Sequence, residues 1–310
     1  MAVYTEIPPA QLAAFLGQYE LGELVQLEGI GAGTENSNFF LQTRAGSYVL
    51  TLFERLEPAE IPYYLHVTEW FSQRGIPCPA PIHARDGRIL GELCGKPAAI
   101  VQRLPGQSIE GRAATEPEII ALGELLGRMH LAGKDFPERH RNPADFSWCQ
   151  EMARRLLPKL SPDERELLVE EREAQKFWPR DKLPGGVIHA DLFPDNVLFE
   201  GDRITGTIDY YYAGDDAWLY DLAVVANAWC SQPDGSLDKD MAALLWQSYE
   251  RVRPFARQEH GLWFPFMRAA ALRFWLLRLE ARHFPRAGQL TAQRDPEEYR
   301  RILLRRQEFC

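Results

Sequence analysis

Short apolar runs separated by small residues dominate the first hundred residues of the chain. Each run is rich in leucine, β-branched or aromatic residues, and stretches of glycine and alanine lie between the runs. Such runs with turn residues between them predict the strands of an antiparallel meander. The three predicted strands are residues 24 to 30, 38 to 43 and 47 to 53.

The spacing of apolar residues changes after these strands. Over residues 58 to 74 they recur every three or four positions, which predicts a helix. Asp86-Gly87 is typical of a two-residue hairpin turn, and residues 97 to 104 predict one further strand. The first hundred residues are therefore expected to form a sheet with one helix.

Residues 104 to 108 form a turn-rich connector, and the pattern after it is mostly helical. The stretch from Thr115 to Glu118 has the sequence of a capping box and predicts the start of the next helix. The chain thus predicts an α+β protein of two lobes. A small β-rich lobe covers residues 1 to 104, and a larger α-rich lobe covers residues 105 to 310.

Composition limits the kinds of protein that the chain can be. Its 310 residues, 45% of them hydrophobic, are enough for a folded protein with a substantial core. No apolar run approaches the roughly 18 residues of a membrane span, and the first residues lack the pattern of a signal peptide. The five cysteines are odd in number and widely spaced, as is usual for free thiols in a reducing compartment. We therefore expect a soluble, cytoplasmic protein without a membrane partner.

The charge distribution argues against nucleic acid as a partner. The formal net charge is −9, whereas a protein that coats phosphates needs a basic face. Residues 251 to 310 nevertheless hold 13 arginines against 6 aspartates and glutamates, which leaves this region at +7. A basic region suits an acidic small molecule better than a cationic one.

The candidate chemistry lies in the sequence HADLFPDN, residues 189 to 196, directly after the apolar stretch GGVI. Residues 197 to 209 predict a hairpin that brings Asp209 back towards Asn196. Carboxylate and amide oxygens of this kind suit Mg²⁺, which keeps few protein ligands and takes others from substrate phosphates. Asp191 is then available to accept a proton from a hydroxyl group.

The spacing of His189, Asp191, Asn196 and Asp209 is that of the catalytic loop and metal-binding aspartate of protein kinases. Protein kinases carry arginine at the position of Ala190, and the Phe-Gly and Ala-Pro-Glu parts of their signature are also missing here. These departures point to small-molecule substrates. The alternative is that these residues only form turns, because short motifs match by chance.

Two segments of the first lobe favour the kinase interpretation. The loop that contains Gly31, Gly33, Ser37 and Asn38 could offer backbone N–H groups to phosphate oxygens, although an ordinary turn has the same composition. The strand that runs through Gln102 to Leu104 fits a hinge whose backbone could pair with adenine.

The pattern resembles the aminoglycoside phosphotransferase and choline kinase group, kinase-like enzymes that phosphorylate hydroxyls of small molecules. Several segments between residues 35 and 304 resemble, more closely, the homoserine kinases of the aminoglycoside-phosphotransferase-like type. They are ENSNFFLQT, YVLTLFE, RGIPCPAPI, VIHADLFPDNVLF, YDLAVVANAWC, AALRFWLLRL and DPEEYRRILL. The resemblance implies a protein-kinase-like fold and transfer of phosphate from ATP, with Mg²⁺, to the side-chain hydroxyl of L-homoserine in threonine biosynthesis.

The resemblance also implies roles for individual residues. Asp191 would take the hydroxyl proton while His189 braces the loop, and Asn196 and Asp209 would hold Mg²⁺. Asp221 would support the loop from the next helix; the alternative for this residue is an ordinary helix N-cap.

One position departs from the wider kinase pattern. The strand lysine that holds the α and β phosphates in kinases corresponds to Thr51, and the helix glutamate that pairs with it corresponds to Tyr64. We therefore expect this ion pair to be absent. Thr51 also fits the homoserine kinase subgroup, so phosphate charge is expected to be met by Mg²⁺, loop N–H groups and Arg55.

A zwitterionic acceptor needs partners for its carboxylate and for its ammonium group. Arg273 lies on the apolar side of a predicted helix, where it either pairs with a structural carboxylate or binds the substrate carboxylate. Asp195 and Asp215 are candidates for the ammonium group. The other charged residues weighed for this region or elsewhere are expected to be structural or at the surface: Arg268, Arg278, Arg282, His66, His83, His130 and His140.

Two other functions stay open from the sequence. The protein could be a kinase of the same fold that acts on another hydroxyl compound, such as choline, methylthioribose or an aminoglycoside. It could also bind nucleotide without turnover, because the strand lysine is missing. The sequence does not indicate an oligomeric state.

Overall fold

A computed structural model of the chain describes residues 5–31, 36–176, 178, 182–285 and 294–309. The chain divides into two compact units, and the division falls between Pro105 and Gly106. The sequence placed the lobe boundary one residue earlier. The two units are described separately below as unit 1 and unit 2.

Unit 1 contains a five-stranded antiparallel sheet and two helices in its described residues. The strands are β1 Leu24–Gly29, β2 Ser37–Thr43, β3 Ser47–Leu52, β4 Gly91–Leu93 and β5 Lys96–Gln102. They follow the spatial order β1-β2-β3-β5-β4, so the predicted meander of the first three strands is confirmed. The helices are α1 Pro9–Leu16 and α2 Ile61–Ser72.

Helix α1 covers one face of this sheet. Leu12 and Phe15 of the helix join a buried cluster with Leu41, Leu50 and Ile100 of three neighbouring strands. Along β2, buried residues such as Leu41 alternate with half-buried ones, as expected for a strand with one face in the core. The alternation fixes which side chains point away from α1.

The turn that joins β4 to β5 does not lie at Asp86-Gly87, where the sequence predicted a hairpin turn. Strands β4 and β5 are joined through Cys94 and Gly95, whose φ angles are 56° and 71°. A two-residue loop of this type requires positive φ at both positions, and cysteine seldom provides it. Asp86-Gly87 does form a tight turn, with the Gly87 N–H donating to the Ala84 carbonyl at 2.8 Å, but it does not join the two strands.

Unit 2 is mainly helical. A two-stranded antiparallel sheet pairs β7 Gly185–Ile188 with β10 Gly214–Ala217. A three-stranded antiparallel sheet has the order β6-β8-β9, with β6 Gln107–Ser108, β8 Val197–Glu200 and β9 Arg203–Thr207. The described helices are α3 Glu116–Gly133, α4 Phe146–Leu156, α5 Pro162–Gln175, α6 Trp218–Trp229, α7 Lys239–Val252, α8 Trp263–His283 and α9 Pro296–Gln307.

The predicted start of α3 is confirmed in detail. The Glu118 N–H donates to the Thr115 hydroxyl at 3.4 Å, and the Thr115 N–H donates to the Glu118 carboxylate at 2.8 Å. This reciprocal pair is the capping box that the sequence indicated.

Two central helices, α6 and α8, each contribute more residues to the core of unit 2 than any other element does. Helix α6 is buried over nearly its whole length, and α8 buries a continuous stretch from Phe266 to Leu276. Helix α3 packs closely on α7, because a Cβ on Gly123 would lie 2.8 Å from the Leu245 carbonyl oxygen. Within the described ranges, no helix has both the length and the apolar character needed to cross a membrane.

Candidate active site

The loop with the kinase-like spacing begins where β7 ends. His189 is fully buried, and Ala190 has a φ of 62°, in the left-handed region that residues with a Cβ seldom adopt. The Phe193 N–H donates to the Asp191 carbonyl at 2.9 Å, and a short 3-10 turn, Pro194–Asn196, leads into β8. The loop therefore follows a defined path from the two-stranded sheet to the three-stranded sheet of unit 2.

The hairpin of β8 and β9 returns the chain to this loop, as the sequence predicted. The Ile208 N–H donates to the Asn196 carbonyl at 3.0 Å, and Asp209 follows with a φ of 65°. The Asn196 side-chain amide donates to the Asp191 carbonyl at 2.8 Å and to its carboxylate at 3.2 Å. Asp191, Asn196 and Asp209 are thus gathered at one end of the hairpin.

The charges in this group affect one another. Burial, and after it the charge of Asp209, raises the pKa of Asp191 well above its usual range. The positive charges of Arg273 and Arg294 act in the opposite direction, and Asp195 adds to the increase. The carboxylates of Asp191 and Asp209 repel each other, so binding of a cation near both would be favourable.

The donor set of this group fits Mg²⁺. Asp209 offers carboxylate oxygens, and the Asn196 side chain has an amide oxygen in addition to the NH₂ group that binds Asp191. Among the described residues no cluster of three or more His, Cys, Asp or Glu side chains could hold a metal by itself. One carboxylate and one amide match a Mg²⁺ site that takes its other ligands from phosphate and water.

Asp221 of α6 holds the start of the loop. Its carboxylate accepts hydrogen bonds from the His189 N–H and the Ala190 N–H, both at 2.8 Å, and from His130 at 3.1 Å. The helix begins at Trp218, so Asp221 lies inside it and the N-cap alternative is wrong. Burial would raise the pKa of Asp221, but these hydrogen bonds and the histidines keep it below its usual value.

The two histidines beside Asp221 are also fixed by hydrogen bonds. The His189 ring binds the Ile208 carbonyl at 3.0 Å, and the His130 ring binds the Tyr249 hydroxyl at 2.7 Å. Burial lowers the pKa of both rings, so both are neutral near pH 7. His189 therefore links the loop to the end of the hairpin, and His130 links Asp221 to α7.

Arg273 does not form the ion pair that the sequence offered as one alternative. Its side chain is fully buried, and one guanidinium nitrogen donates to the Ala190 carbonyl. No carboxylate of the described residues lies within ion-pair distance of it, and its Nε and Nη2 have no hydrogen-bond partner there. The ring centroids of Tyr212 and Phe274 lie 4.9 and 4.5 Å from the guanidinium carbon. Binding of a substrate carboxylate stays a prediction, but the geometry favours a role in holding the loop.

Asp195 and Asp215, the two candidates for the ammonium group, have different surroundings. Asp195 lies in the 3-10 turn beside Asn196, and its carboxylate binds Arg294. Asp215 lies in β10, where it accepts hydrogen bonds from Arg139 and from the His140 N–H, both at 3.1 Å. Of the two, only Asp195 belongs to the loop that carries Asp191.

The other arginines of α8 are paired, as the sequence predicted. Arg268 donates twice to Glu171, at 3.1 and 2.7 Å, and Arg278 donates to Glu298 at 2.7 Å. Arg282 lies 3.3 Å from the Asp295 carboxylate at the surface. These residues join α8 to neighbouring helices, which fits the structural role that the sequence predicted.

The candidate phosphate loop of unit 1 is only partly described. Gly33 lies outside the described residues, and Gly31 is the last residue described before the gap. The Ser37 hydroxyl is fully buried and donates to the Glu54 carboxylate at 2.5 Å, which argues against a direct phosphate contact by this side chain. Asn38 accepts a hydrogen bond from Thr51 at 2.7 Å on the neighbouring strand.

The position of the missing lysine is therefore occupied by a neutral pair, Asn38 and Thr51. Tyr64, the residue expected at the glutamate position, is buried, and burial raises its pKa to about 12. An ion pair that the sequence did not reveal joins Lys96, the first residue of β5, to Glu54, which lies two residues after the end of β3. Its only sequence signal is that the two residues lie at the ends of strands.

The candidate adenine-binding residues lie at the end of β5. The Gln102 N–H donates to the Ala80 carbonyl at 2.9 Å, and the Gln102 side chain is exposed. Leu104 follows the strand and is half-buried. In the part of the chain that the structure describes, the Gln102 N–H has a hydrogen-bond partner and the Leu104 N–H has none.

Comparison with known proteins places this chain in a family. Residues 26–255 match the model of the phosphotransferase enzyme family. The homoserine kinase of Methylobacillus flagellatus is 42% identical over 303 residues, which cover 98% of this chain and 94% of that relative. The homoserine kinase of Neisseria meningitidis is 41% identical over 304 residues, which cover 98% and 99%.

Solved structures show the same fold at low sequence identity. An amicoumacin kinase in complex with AMP-PNP, Ca²⁺ and its ligand has a TM-score of 0.70 and 15% identity, covering 97% of this chain and 92% of that one. The choline kinase of Cryptosporidium parvum has a TM-score of 0.69 and 15% identity, with coverage of 97% and 96%. The α+β, protein-kinase-like fold class predicted from the sequence is confirmed, and the chain belongs to the phosphotransferase enzyme family, in the group that contains the bacterial homoserine kinases.

Proposed function

We propose that this protein is a homoserine kinase, which transfers the γ-phosphate of ATP to the side-chain hydroxyl of L-homoserine and yields O-phospho-L-homoserine for threonine biosynthesis. The observation that carries the reaction type is the hydrogen-bonded group of Asp191, Asn196 and Asp209 at the end of one hairpin. The identity of the acceptor is supported by relatives at 41 to 45% identity over nearly the whole chain that carry this name.

Asp191 is the proposed catalytic base. It orients the acceptor hydroxyl and takes its proton as the phosphoryl group is transferred. Phosphoryl transfer depends mainly on positioning and on neutralising charge, so a fixed loop matters more than strong basicity. His189 and Asp221 supply that fixation through the bonds described above.

Asn196 and Asp209 would hold Mg²⁺. When bound, the ion would supply the positive charge that phosphate oxygens and the two neighbouring carboxylates require. Asn196 also keeps its amide on Asp191, so this side chain links the proposed base to the proposed metal position.

Nucleotide contacts are proposed for unit 1. Backbone N–H groups of the loop around Gly31 and Gly33, together with Asn38, would bind phosphate oxygens in place of the lysine that Thr51 replaces. The Leu104 backbone is the better candidate for adenine, because the Gln102 N–H already donates to Ala80. Arg55 stays a candidate for additional phosphate charge.

The proposal is tested by ADP release with Mg-ATP and a panel of acceptors. L-homoserine is compared with L-serine, L-threonine, choline, 5-methylthioribose and kanamycin, and the Asp191→Ala variant measures background ATPase. We expect release that depends on L-homoserine and is absent from the variant. Release that depends on another acceptor would retain the chemistry and refute the substrate, whereas nucleotide binding without turnover of any acceptor would refute the kinase assignment.

A further inference from the structure

A partly exposed ion pair lies beside the proposed catalytic group of unit 2. Arg294 donates to the carboxylate of Asp195, with side-chain exposures of 51% and 30%. Asp195 belongs to the turn Pro194–Asn196, next to the proposed metal ligand Asn196 and four residues after Asp191. The guanidinium carbon of Arg294 also lies 5.6 Å from the ring centroid of Phe193 in the same loop.

The charges of this ion pair and of Asp191 affect one another's pKa values. Burial would lower the pKa of Arg294, but the charges of Asp195, Asp191 and Glu110 raise it overall. In return, the positive charge of Arg294 opposes the increase in the pKa of Asp191. The charges of both members of the pair therefore act on the carboxylate that would receive the hydroxyl proton.

This ion pair is expected to contribute little to the free energy of folding, so stability alone does not explain it. An exposed pair contributes little to folding, because water screens it and two long side chains must be ordered. The other arginines near this region are better explained by structure. Arg273 is buried against the Ala190 carbonyl, and Arg268 is buried against Glu171.

The chemistry of the pair matches that of an amino acid head group. A guanidinium binds a carboxylate through two parallel N–H donors, and a carboxylate accepts from an ammonium group. An α-amino acid carries both ions on one carbon, so it can replace the single Arg294–Asp195 contact with two contacts of the same kind. Because the two side chains are partly exposed, neither must leave the core to change partner.

We propose that Arg294 and Asp195 form the acceptor head-group subsite, in which Arg294 binds the α-carboxylate and Asp195 the α-ammonium group of the hydroxy amino acid. This inference rests on the proposed function. It assigns the carboxylate to Arg294 in place of Arg273, and it predicts that the site selects an amino acid over cations such as choline, which carry no carboxylate.

Two truncated acceptors separate the roles of the two side chains. Removing the carboxylate from L-homoserine gives 3-amino-1-propanol, and removing the amino group gives 4-hydroxybutanoate; both keep the same terminal hydroxyl. For the wild type we expect both to be much poorer acceptors. In Arg294→Gln the kcat/KM for L-homoserine should fall roughly 10- to 100-fold, mainly through KM, because a charged hydrogen bond is lost. The value for 3-amino-1-propanol should change less than threefold.

Asp195→Asn gives the complementary test. It should lose activity towards L-homoserine while its activity towards 4-hydroxybutanoate is retained. Arg294→Lys keeps the charge without the two parallel donors and should fall between wild type and Arg294→Gln. Arg251→Gln is the matched control, because Arg251 also forms an exposed ion pair in unit 2, at 3.2 Å from Glu124. The KM for Mg-ATP and the melting temperature are measured for every variant.

The outcomes separate this inference from the function on which it rests. Equal loss of kcat/KM for L-homoserine and for 3-amino-1-propanol in Arg294→Gln would overturn the carboxylate assignment while leaving the kinase intact. An unchanged KM for L-homoserine in that variant would overturn it as well. If the wild type does not phosphorylate L-homoserine at all, the proposed function fails first, and the subsite fails with it.

Discussion

Two residues of the candidate site adopt left-handed backbone conformations although neither is glycine. Ala190 and Asp209 have φ angles of 62° and 65°, which cost conformational energy that surrounding contacts must offset. Ala190 is held on both sides, since its N–H binds Asp221 and its carbonyl binds Arg273. We infer that these two contacts keep Asp191, the next residue, in its working orientation.

Replacing Arg273 tests this role. Arg273→Met removes the donor to the Ala190 carbonyl while filling much of the same buried space, so kcat should fall at least about tenfold through looser positioning of Asp191. The KM values for ATP and L-homoserine should change little. Arg273→Lys retains the charge and should recover part of kcat.

The alternative role of Arg273 predicts a different kinetic pattern. If Arg273 binds the substrate carboxylate, Arg273→Met would raise the KM for L-homoserine and leave that for ATP unchanged. Steady-state kinetics with both substrates varied decides between the two roles, and a melting curve confirms that the variant is folded.

Asp209 has a separate test at the same scale. Asp209→Ala removes the only carboxylate proposed to hold Mg²⁺, so the increase in ATP affinity on adding Mg²⁺ should be lost. Titration calorimetry with ATP, with and without Mg²⁺, measures this directly. A variant that binds Mg-ATP as tightly as the wild type would remove Asp209 from the metal site.

At the scale of elements, helices α3 and α7 owe their close approach to a glycine. A Cβ at position 123 would meet the Leu245 carbonyl oxygen at 2.8 Å and would also clash with Ser248. Gly123→Ala should therefore destabilise the protein by about 1 to 3 kcal/mol, since a packed interface seldom accommodates an extra methyl group.

A second substitution of glycine by alanine, at a helix end where the added methyl group meets no clash, gives the comparison. Gly17 follows α1 with a φ of −58°, and a Cβ there would meet neighbouring atoms at 3.4 Å, which is ordinary contact. Gly17→Ala should be neutral or slightly stabilising. Urea unfolding of both variants gives the comparison, and equal stability of the two would contradict the packing argument.

The elements that the sequence predicted best are those with local signals. The capping box at Thr115, the hairpin of β8 and β9 and the meander in unit 1 all carry turn or capping residues within a few positions. The hairpin turn at Cys94 and Gly95 was missed because cysteine carries no turn signal. Helix α1 is absent from the predicted elements, because its eight residues give barely two turns of periodicity.

At the scale of the whole molecule, buried histidines connect stability to pH. Burial lowers the pKa of His130 in the folded state, despite the neighbouring Asp221 carboxylate, whereas an unfolded histidine titrates near 6.5. Below that pH the unfolded chain binds a proton that the folded state does not. His130 therefore makes a contribution to stability that is present above pH 6.5 and is lost as the pH falls.

A variant isolates this contribution from other titrating groups. The free energy of unfolding of the wild type, relative to that of His130→Gln, should decrease between pH 7.5 and pH 5.5. Urea unfolding of both proteins at the two pH values measures the difference. A difference that stays constant or grows as the pH falls would show that His130 is not held neutral.

How much of the site the sequence could predict depends on the distance along the chain. Asp191, Asn196 and Asp209 are close in sequence, so their spacing and the hairpin between them were enough to predict that they lie together. Contacts between distant residues could not be derived in this way, because nothing local records them. The bond from Arg273 to Ala190 spans 83 residues, and the pair of Arg294 and Asp195 spans 99.

Asp191 is proposed to be the base in the transfer of phosphate from ATP to a hydroxy amino acid. The most direct measurement follows the reaction of Mg-ATP with L-homoserine by phosphorus NMR, for the wild type and for Asp191→Asn, with nucleotide affinity measured on the same samples. The account predicts O-phospho-L-homoserine from the wild type and a rate lower by about 10² to 10⁴ in the variant, at unchanged affinity for nucleotide. A variant that forms the product at the wild-type rate would contradict it.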